Sequence, residues 1–492
     1  MTIAKNCVIL LGLLLVIVNV SNTVASLSIP DPYLVKWYTQ KVDHLDYSNR
    51  DVFKQRYIIS DKHWKPNGPI FFYAGNEGDI FSFANNTGFM WENAPRFNAM
   101  NLFMEHRYYG ESLPYGNKSF NELKYKGYLT VEQALADYAE FVTEFKQHTP
   151  GARDSPVIVI GGSYGGMLAS WMRMKYPHIV IGALAGSAPI LQFPGIYNCS
   201  QYYEIATKSF ENYSPLCSSS IRKSWAAMRR VAKTDEGRSW LTNLFRLCNP
   251  LTEDTVNEFI SFVSSAWDSM AMTDYPNPAS FLQPMPAYPI KVACSYLTTP
   301  NADDHSLIKT IYSASSVFYN YTGTVQCNNI AQTGGSLGDL AGWYFQACTE
   351  MILPICSNGV TDMFEPNEWN FTAYSKGCYE SQGVYSDRMK ALILFGGKNI
   401  KSASNIIFSN GLRDPWSAGG VLESLAPSLL AIKIPGACHH EDLRFTGPND
   451  PKQLLDARAL EIKTLKSWLT TYYTENRIDN PAKNNELFYK MG

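Results

Sequence analysis

Short apolar runs alternate with amphipathic segments between residues 36 and 189 of the chain. Apolar runs of roughly four to eight residues bounded by Gly, Pro or Ser are typical of buried strands, whereas apolar positions at helical spacing are typical of helices. The strand pattern fits the segments GPIFFYAG, MNLFMEHR, SPVIVIGG and IVIGALAGSAP. Because the links between strands and helices are short, the pattern predicts a mostly parallel sheet with helices on both faces.

The segment LTVEQALADYAEFVTEFKQHTP predicts a helix with clear ends. Thr130 and Gln133 form a capping-box pattern, apolar residues recur at helical spacing from Val131, and Pro150 stops the helix. A second helix, MLASWMRMKYP, comes shortly after the strand SPVIVIGG and is closed by Pro177.

This alternation is lost between about residues 190 and 390, where cysteines and aromatic residues gather and helical patterns such as SIRKSWAAMRRVAKT appear. It returns with two strand-like runs, ASNIIFSNG and SLLAIKIPG, and a final helix, PKQLLDARALEIKTLKSWLTTYY. The chain therefore predicts an α/β core built from residues 30–189 and 391–480, with a large, mostly helical cap inserted over residues 190–390.

The first 25 residues are predicted to be a cleaved secretory signal, with Lys5 ahead of an apolar run and small residues near Ala25. A membrane anchor is the alternative. The run from Cys7 to Val20 is short for a spanning helix and contains Asn19, and no later segment is apolar and long enough to span a bilayer. We therefore expect a protein of the secretory pathway without a membrane anchor after signal cleavage.

Composition agrees with a secreted globular protein. Hydrophobic residues make up 45% of the 492 residues and charged residues 17%, which allows a sizeable buried core. The net charge of −2, without a basic stripe, argues against nucleic-acid binding. Six N-x-S/T sequons are candidate glycosylation sites: Asn85, Asn117, Asn198, Asn212, Asn320 and Asn370.

Cysteine usage also indicates an oxidising compartment. Of the ten cysteines, Cys7 would leave with the signal, eight lie between Cys199 and Cys378, and Cys438 is left over as a predicted free thiol. The chain has neither a C-x-x-C pair nor an H-E-x-x-H motif, so we expect no metal and no other cofactor.

The stretch IVIGGSYGGMLASWM carries the strongest chemical signal. Residues 161–165 fit G-x-S-x-G between a predicted strand and a predicted helix, which is the context in which a serine is presented as a nucleophile. The backbone N–H of Tyr164, at the start of the helix, would then stabilise an oxyanion. The alternative is a glycine turn that packs a helix onto a sheet.

A serine nucleophile needs a base and an acid, which in such sheets follow in the order Ser, Asp, His. Asp414 comes just after the strand in ASNIIFSNG, and His439 and His440 come just after SLLAIKIPG. The residues themselves do not decide between the two histidines. Asp414 could instead be a turn residue, and the histidines a solvated pair or weak metal ligands with Glu441 and Asp442.

The second oxyanion donor is expected on the loop after an earlier strand. FFYAGNEGD places Gly75 and Asn76 at that position, with Glu77 and Asp79 on the same loop. An ordinary Gly-rich turn is the alternative interpretation.

Several longer motifs resemble one known family, over most of the chain from Trp37 to Tyr472. They include KVDHLDY, YAGNEGDI, NNTGFMWENA, EHRYYGESLPYG, GGSYGGMLASWMRMKYPH, FLQPMPAYPIKVACSYL, FQACTEMILPICSNGVTDMFEPNEW, IIFSNGLRDPWSAGGV and GACHHEDLR. The chain resembles the lysosomal Pro-X carboxypeptidases, serine exopeptidases related to the dipeptidyl peptidase II enzymes. TDMFEPNEW and FLQPMPAYPIKV are more similar to the carboxypeptidase branch.

The resemblance implies an α/β-hydrolase core with a helical cap, and removal of a C-terminal residue that follows proline. It assigns the nucleophile to Ser163, the acid to Asp414 and the base to His439. It also implies four disulfides: Cys199 with Cys356, Cys217 with Cys294, Cys248 with Cys327, and Cys348 with Cys378. The chain departs from the family at Cys438, where relatives read GAHH instead of GACHH, and at Arg413, which is apolar in relatives.

We expect peptide substrates with proline at the penultimate position, hydrolysed in the lysosome, the vacuole or outside the cell. Met167 and Trp416 are candidate walls of a proline pocket, although core packing is the simpler explanation for both. Arg444 is the candidate partner of the substrate's terminal carboxylate, with an ion pair to Asp442 or Glu441 as the alternative.

The oligomeric state stays open, and the protein could be a monomer or a homodimer. Three other functions also stay open. A dipeptidyl peptidase would use Glu77 or Asp79 to hold a free substrate amine. An α/β-hydrolase that cleaves esters is less favoured. A binding protein built on an inactive hydrolase is disfavoured because Ser163, Asp414 and His439 are all present.

Overall fold

A computed structural model describes residues 29–331, 341–478 and 480–481, so the predicted signal peptide lies outside the described residues. Within that part of the chain, eight strands form a single sheet. The strands are β1 (Leu34–Lys41), β2 (Val52–Ser60), β3 (Ile70–Ala74), β4 (Met100–Met104), β5 (Val157–Gly162), β6 (Gly182–Gly186), β7 (Ile406–Gly411) and β8 (Leu429–Ile434).

The sheet order is β1-β2-β4-β3-β5-β6-β7-β8. Strands β3 to β8 pair in parallel, whereas β1 pairs with β2, and β2 with β4, in antiparallel fashion. The prediction of an α/β-hydrolase fold with a mostly parallel sheet is confirmed. The antiparallel pair of β1 and β2 at one edge of the sheet was not predicted from the sequence. Strand β1 (LVKWYTQK) is largely exposed and mixes apolar and polar residues, so it lacks the apolar run of a buried strand.

Helices cover both faces of the sheet. The described helices are α1 (Ile80–Ala84), α2 (Gly88–Phe97), α3 (Leu123–Lys126), α4 (Val131–His148), α5 (Tyr164–Lys175), α6 (Gln201–Tyr213), α7 (Pro215–Val231), α8 (Asp235–Leu244), α9 (Val256–Met272), α10 (Pro289–Cys294), α11 (Asp304–Tyr319), α12 (Ala341–Thr349), α13 (Phe371–Gln382), α14 (Lys390–Phe395) and α15 (Lys452–Asn476). In the described part of the chain, none of them is both long and apolar enough to cross a bilayer.

Alternate residues of the buried strands enter different cores. Phe71 and Tyr73 of β3 belong to one apolar cluster, and Ile70 and Phe72 belong to a second cluster across the sheet. Successive side chains of a strand point to opposite faces, so a strand buried on both faces is apolar throughout. This explains why GPIFFYAG has no polar residue between its bounding glycines apart from the Tyr73 hydroxyl.

The capping box at α4 forms only in part. The side chain of Thr130 accepts a hydrogen bond from the backbone N–H of Gln133, as the pattern predicts. The side chain of Gln133 instead bonds to Asp43 and to the backbone of His44, on the loop after β1. A tertiary contact has therefore replaced half of the local motif.

The chain between β6 and β7 contributes helices α6 to α14 and, among its described residues, no strand of the sheet. Four disulfides lie entirely within it, and they join the same four pairs that the resemblance implies: Cys199–Cys356, Cys217–Cys294, Cys248–Cys327 and Cys348–Cys378. Such cross-links restrict the unfolded chain, most strongly where they close long loops. The boundaries of the cap at residues 190 and 390 stay a prediction.

Candidate active site

Ser163 occupies the sharp turn between β5 and α5. Its backbone has φ 59° and ψ −129°, a conformation that non-glycine residues rarely adopt, and its N–H donates a 2.9 Å hydrogen bond to the carbonyl of Gly186. Such a backbone costs about 1–3 kcal/mol and persists only where the surroundings enforce it. The turn therefore presents Ser163 at the carboxyl end of β5, as G-x-S-x-G predicts.

The glycines around Ser163 are explained by close backbone approach. A Cβ on Gly161 would lie 2.1 Å from the carbonyl oxygen of Gly165, and one on Gly165 would lie 2.8 Å from the carbonyl oxygen of Ala74. On Gly162 it would lie 2.9 Å from the ring of His440. A side chain at any of these positions would push apart the turn and the loops packed on it.

Asp414 and His439 meet at the carboxyl ends of β7 and β8. His439 Nδ1 lies 2.8 Å from Asp414 Oδ2, and both side chains are buried. Because an ionised carboxylate only accepts hydrogen bonds, Nδ1 carries the proton and Nε2 is left as an acceptor. The other oxygen of Asp414 accepts the N–H of Trp416 at 3.0 Å, which orients the carboxylate.

The inserted segment holds the loop that carries His439. The backbone N–H of His439 donates to the carbonyl of Met272 at 2.9 Å, and its carbonyl accepts the hydroxyl of Tyr275 at 3.0 Å. Both contacts come from the segment at and just after the end of α9. The position of the candidate base therefore depends on the inserted helices as well as on the sheet.

His440 has a different environment from His439. Its N–H donates to the hydroxyl of Ser187 at 2.8 Å, and its ring packs edge-on to Phe281 and against Gly162. Burial lowers the pKa of His440 well below its usual range, so the ring stays neutral. The geometry favours His439 over His440 as the base.

A cavity of about 180 Å³ lies between the sheet and the inserted helices. It is lined by Asn76, Glu77, Ser163, Tyr164, Met167, Pro189, Met272, Thr273, Phe281, Leu282, Trp343, Leu353, Trp416 and His439. Most of these side chains are apolar, which suits a pocket that excludes water around a few polar groups.

The predicted pocket and oxyanion residues Met167, Trp416, Tyr164 and Asn76 all line this cavity. Gly75 does not. A Cβ on Gly75 would lie 2.0 Å from the carbonyl oxygen of Met104, so this glycine lets the loop leave β3 close to β4.

The side chain of Asn76 ties its loop to the serine turn. Its Nδ2 donates to the carbonyl of Gly162 at 3.2 Å, and its Oδ1 accepts the hydroxyl of Tyr73 at 3.2 Å. These two hydrogen bonds fix the backbone of Asn76, including its N–H group, next to the turn that carries Ser163. A preorganised donor needs both this position and this rigidity.

Arg444 lies outside the lining of the cavity. Its guanidinium stacks 4.3 Å above the ring of Tyr275, it is buried, and it is absent from the cavity lining. A single 3-10 turn at Glu441–Leu443 reverses the chain after His440 and carries Arg444 onto that aromatic face. Its Nη1 is buried without a hydrogen-bond partner, and no ion pair with Glu441 or Asp442 is found among the described residues. Because Arg444 does not line the cavity, its role as the partner of the substrate carboxylate stays a prediction.

The two acids on the loop after β3 have separate environments. Asp79 caps α1 by accepting the N–H of Phe81, and it pairs with Arg56 at 2.5 Å. Glu77 faces the cavity, and its Oε2 is buried without a hydrogen-bond partner among the described residues. Burial raises the pKa of Glu77 to about 7, against the opposing effects of nearby donors and of His439.

Sequence reasoning missed the cavity residues that the inserted segment supplies: Met272, Thr273, Phe281, Leu282, Trp343 and Leu353. Phe281, Leu282 and Leu353 lie inside motifs that carry the family resemblance, which was the available signal. Nothing local to the other three marks them, because their approach to Ser163 depends on how the insertion packs.

Arg413 and Cys438, the two departures from the family, lie close enough to interact electrostatically, and Arg413 is half-buried. Arg413 pairs with Asp274 of the inserted segment, and Cys438 is a free, buried thiol that packs with Tyr275. The ion pair joins the loop of the candidate acid to the insertion. Burial raises the pKa of the Cys438 thiol well above its usual range.

Cys438 should therefore resist alkylation in the folded chain. The neutral thiol is a poor nucleophile and is only 1% exposed, so iodoacetamide should modify it on the order of a hundredfold more slowly than in denaturant. Mass spectrometry of timed samples measures this ratio, with Cys438→Ala as the unlabelled control. Rapid labelling of native protein, or a Cys438 disulfide, would contradict the assignment of a protected free thiol.

Comparison with known proteins gives one consistent result. The sequence pattern of the family described as serine carboxypeptidase S28 matches residues 40–461. The lysosomal Pro-X carboxypeptidases of Pongo abelii and Homo sapiens are each 49% identical to this chain over 443 residues, covering 90% of it and 89% of their own length. Prolyl carboxy peptidase like protein 5 of Caenorhabditis elegans is 38% identical over 450 residues, covering 87% and 88%.

Proposed function

The chain belongs to the serine carboxypeptidase S28 family, and on that premise we propose that it removes a C-terminal residue that follows proline. It is a serine-type hydrolase that acts on peptides. The Pro-X specificity is carried over from relatives that bear that name at 49% identity. One observation supports the assignment most: the His439–Asp414 hydrogen bond borders the apolar cavity that Ser163 also lines.

In the proposed reaction, Ser163 attacks the carbonyl carbon of the penultimate proline. His439 takes the hydroxyl proton on Nε2, since its Nδ1–H is held by Asp414. The negative charge on the carbonyl oxygen is received by the backbone N–H groups of Tyr164 and Asn76. The first N–H groups of a helix such as α5 have no partner within the helix, which makes Tyr164 a suitable donor.

Collapse of this intermediate breaks the peptide bond. His439 returns its proton to the nitrogen of the leaving residue, and the peptide remains as an ester on Ser163. A water molecule then attacks the ester with His439 as base, which frees the shortened peptide and restores the serine. Each step uses the same base on one side of the cavity.

We assign the proline pocket to Met167 and Trp416, together with the neighbouring apolar residues of the lining. Met167 lies one helical turn after Ser163, and the Trp416 indole is tethered by its N–H to the sulfur of Met272. A rigid aromatic wall and an adaptable thioether suit a compact apolar ring such as proline.

Release of X-Pro dipeptides from the amino end is the second candidate, favoured by one observation. Glu77 places an acidic group in the cavity, and its Oε2 has no hydrogen-bond partner in the described part of the chain, so this carboxyl is the candidate to hold a substrate amine. Ester hydrolysis has no comparable observation in its favour.

The two candidates predict opposite results with one set of peptides. For a carboxypeptidase, N-acetyl-Ala-Pro-Phe should be cleaved at least about tenfold better than its C-terminal amide, and acetylation should matter little. Replacing Pro by Ala should also cost at least about tenfold, because the proline ring fills the pocket. Release of phenylalanine, measured by chromatography, gives kcat/KM for each peptide.

Full activity on the amide, together with loss of activity on N-acetylation, would transfer the assignment to the dipeptidyl branch. Cleavage of short-chain esters without peptide cleavage would favour an esterase. The peptide and ester assays use the same enzyme preparation, and fluorophosphonate labelling of Ser163 counts its active sites.

We further propose residence in the lysosome, the vacuole or the extracellular space, and a division into core and cap at residues 190 and 390. The sequon asparagines Asn117, Asn198, Asn212 and Asn370 are exposed, and Asn85 and Asn320 are half-buried, so all six are candidates for glycosylation. The proposal is compatible with a monomer or a homodimer, which light scattering distinguishes.

A further inference from the structure

A carboxypeptidase must accommodate a terminal carboxylate within one residue of the bond it cuts. Among the described residues that line the cavity, none is lysine or arginine, and Arg444 is stacked on Tyr275 outside the lining. Apart from the proposed base His439, Glu77 is the one acidic or basic side chain among the described lining residues. The substrate carboxylate therefore has no fixed cation to bind in this cavity.

The carboxyl group of Glu77 has one oxygen in the cavity that makes no hydrogen bond among the described residues. Glu77 is 9% exposed, and this oxygen, Oε2, is buried. Asp79, two residues further on, is already neutralised by Arg56 and engaged in capping α1. A buried polar atom without a partner is costly, and in a binding cavity a ligand commonly satisfies it.

We propose that Glu77, in its protonated form, donates a hydrogen bond to the terminal carboxylate of the substrate and so distinguishes a chain terminus from an internal peptide bond. The inference rests on the proposed carboxypeptidase function. Two carboxyl groups in contact can share one proton, and the resulting bond to an ionised oxygen is among the stronger hydrogen bonds. An internal peptide bond or a C-terminal amide offers no carboxylate to receive it.

The surroundings of Glu77 allow this protonation near neutral pH. The titratable groups that face it are His439 on the loop after β8, Tyr73 in β3 and Tyr109 on the loop after β4, together with the amide of Asn76. Both phenols are neutral, since burial raises the pKa of Tyr73 and of Tyr109 above the usual range. Burial of the Glu77 carboxyl outweighs the opposing influence of His439, so its pKa lies at about 7.

The proposal makes discrimination between acid and amide depend on pH. When Glu77 ionises, two carboxylates repel each other, so the free-acid peptide loses its advantage. With a pKa of about 7, the ratio of kcat/KM for N-acetyl-Ala-Pro-Phe over its amide should fall about tenfold between pH 6 and pH 8. Taking the ratio cancels any effect of pH that is common to both peptides.

The decisive variants are Glu77→Gln and Glu77→Ala. Glutamine keeps a donor that does not titrate, so its ratio should stay within a few-fold of the wild-type value at pH 6 and should not change up to pH 8. Alanine should lower the ratio at pH 6 by at least about tenfold. Asp79→Asn is the matched control, since it removes the other acid of the loop and should keep the wild-type profile.

Three results would overturn the role of Glu77: a pH-dependent ratio in Glu77→Gln, an unchanged ratio in Glu77→Ala, or equal loss on both peptides. Fluorophosphonate labelling counts the folded active sites of each variant, so a folding defect is not mistaken for lost recognition. Failure of the proposed function gives a different result: wild-type enzyme would show no preference for the free acid at any pH.

Discussion

Replacing Ser163 or His439 by alanine should lower kcat/KM on a Pro-X peptide by about 10⁴- to 10⁶-fold while the chain still folds. Ser163 is the proposed nucleophile, and His439 is the proposed base, whose Nδ1 lies 2.8 Å from Asp414. Loss of either removes the acyl-enzyme route and leaves only binding and the oxyanion donors. Peptide turnover and circular dichroism of the purified variants measure activity and folding separately.

His440→Ala is the matched control, since it changes the neighbouring histidine on the same loop. Its ring packs against Gly162 and Phe281, so its loss should disturb the turn and cost less activity than His439→Ala. Fluorophosphonate should still label Ser163 in His440→Ala and should label His439→Ala much more slowly. Retained activity in His439→Ala with lost activity in His440→Ala would show that the base is assigned to the wrong histidine.

The free energy of unfolding should be highest at acidic pH and should fall by several kcal/mol between about pH 5.5 and pH 8. Burial raises the pKa of Asp268 to about 6 and of Glu77 and Glu441 to about 7, and raises that of Glu461 well above its usual range. The folded chain then binds more protons than the unfolded chain. Its stability is therefore lost as the pH rises through these values.

Two buried histidines set the acidic limit of this optimum. Burial lowers the pKa of His106 to about 4 and that of His440 well below its usual range, so both bind a proton on unfolding below about pH 6.5. The histidines oppose the effect of the carboxyls below pH 6.5, and they dominate below about pH 4.5, where the carboxyls are protonated in the unfolded chain as well. Stability should therefore fall below about pH 4.5. An optimum on the acidic side of neutrality would suit an acidic compartment.

Asp268→Asn tests the contribution of a single carboxyl. The hydroxyl of Tyr202 donates to Asp268, and an asparagine oxygen can still accept that bond. Above pH 6 the variant should gain up to about 3 kcal/mol relative to the wild type, because it avoids ionising a buried carboxyl. Unfolding followed by fluorescence from pH 4.5 to pH 8 measures both curves. A stability that rises to pH 8, or parallel curves, would contradict this account.

Much of the core could be predicted from local sequence because the controlling interactions are local. Strand β3 lies inside GPIFFYAG since burial on both faces requires an unbroken apolar run. Helix α4 begins after Thr130 and ends by Pro150, as its cap and its breaker predict. The turn at Ser163 could be recognised from G-x-S-x-G between a strand and a helix, where a Cβ on Gly161 would meet the carbonyl oxygen of Gly165 four residues later.

The site predictions that stayed open concern residues whose role the local sequence does not determine. His439 and His440 are adjacent and identical, and only the packing of β7 beside β8 brings Asp414 to the first of them. Arg444 lies close to the base in sequence, but one 3-10 turn places it on Tyr275.

Glu77 and Asp79 share one loop, and their difference comes from Arg56, which β2 holds beside Asp79. The strands and the nucleophile turn follow from short-range backbone sterics and apolar periodicity, which a sequence displays directly. The charge state and partner of each site residue depend on burial and on contacts between distant segments, and these exist only once the sheet and the insertion have packed together.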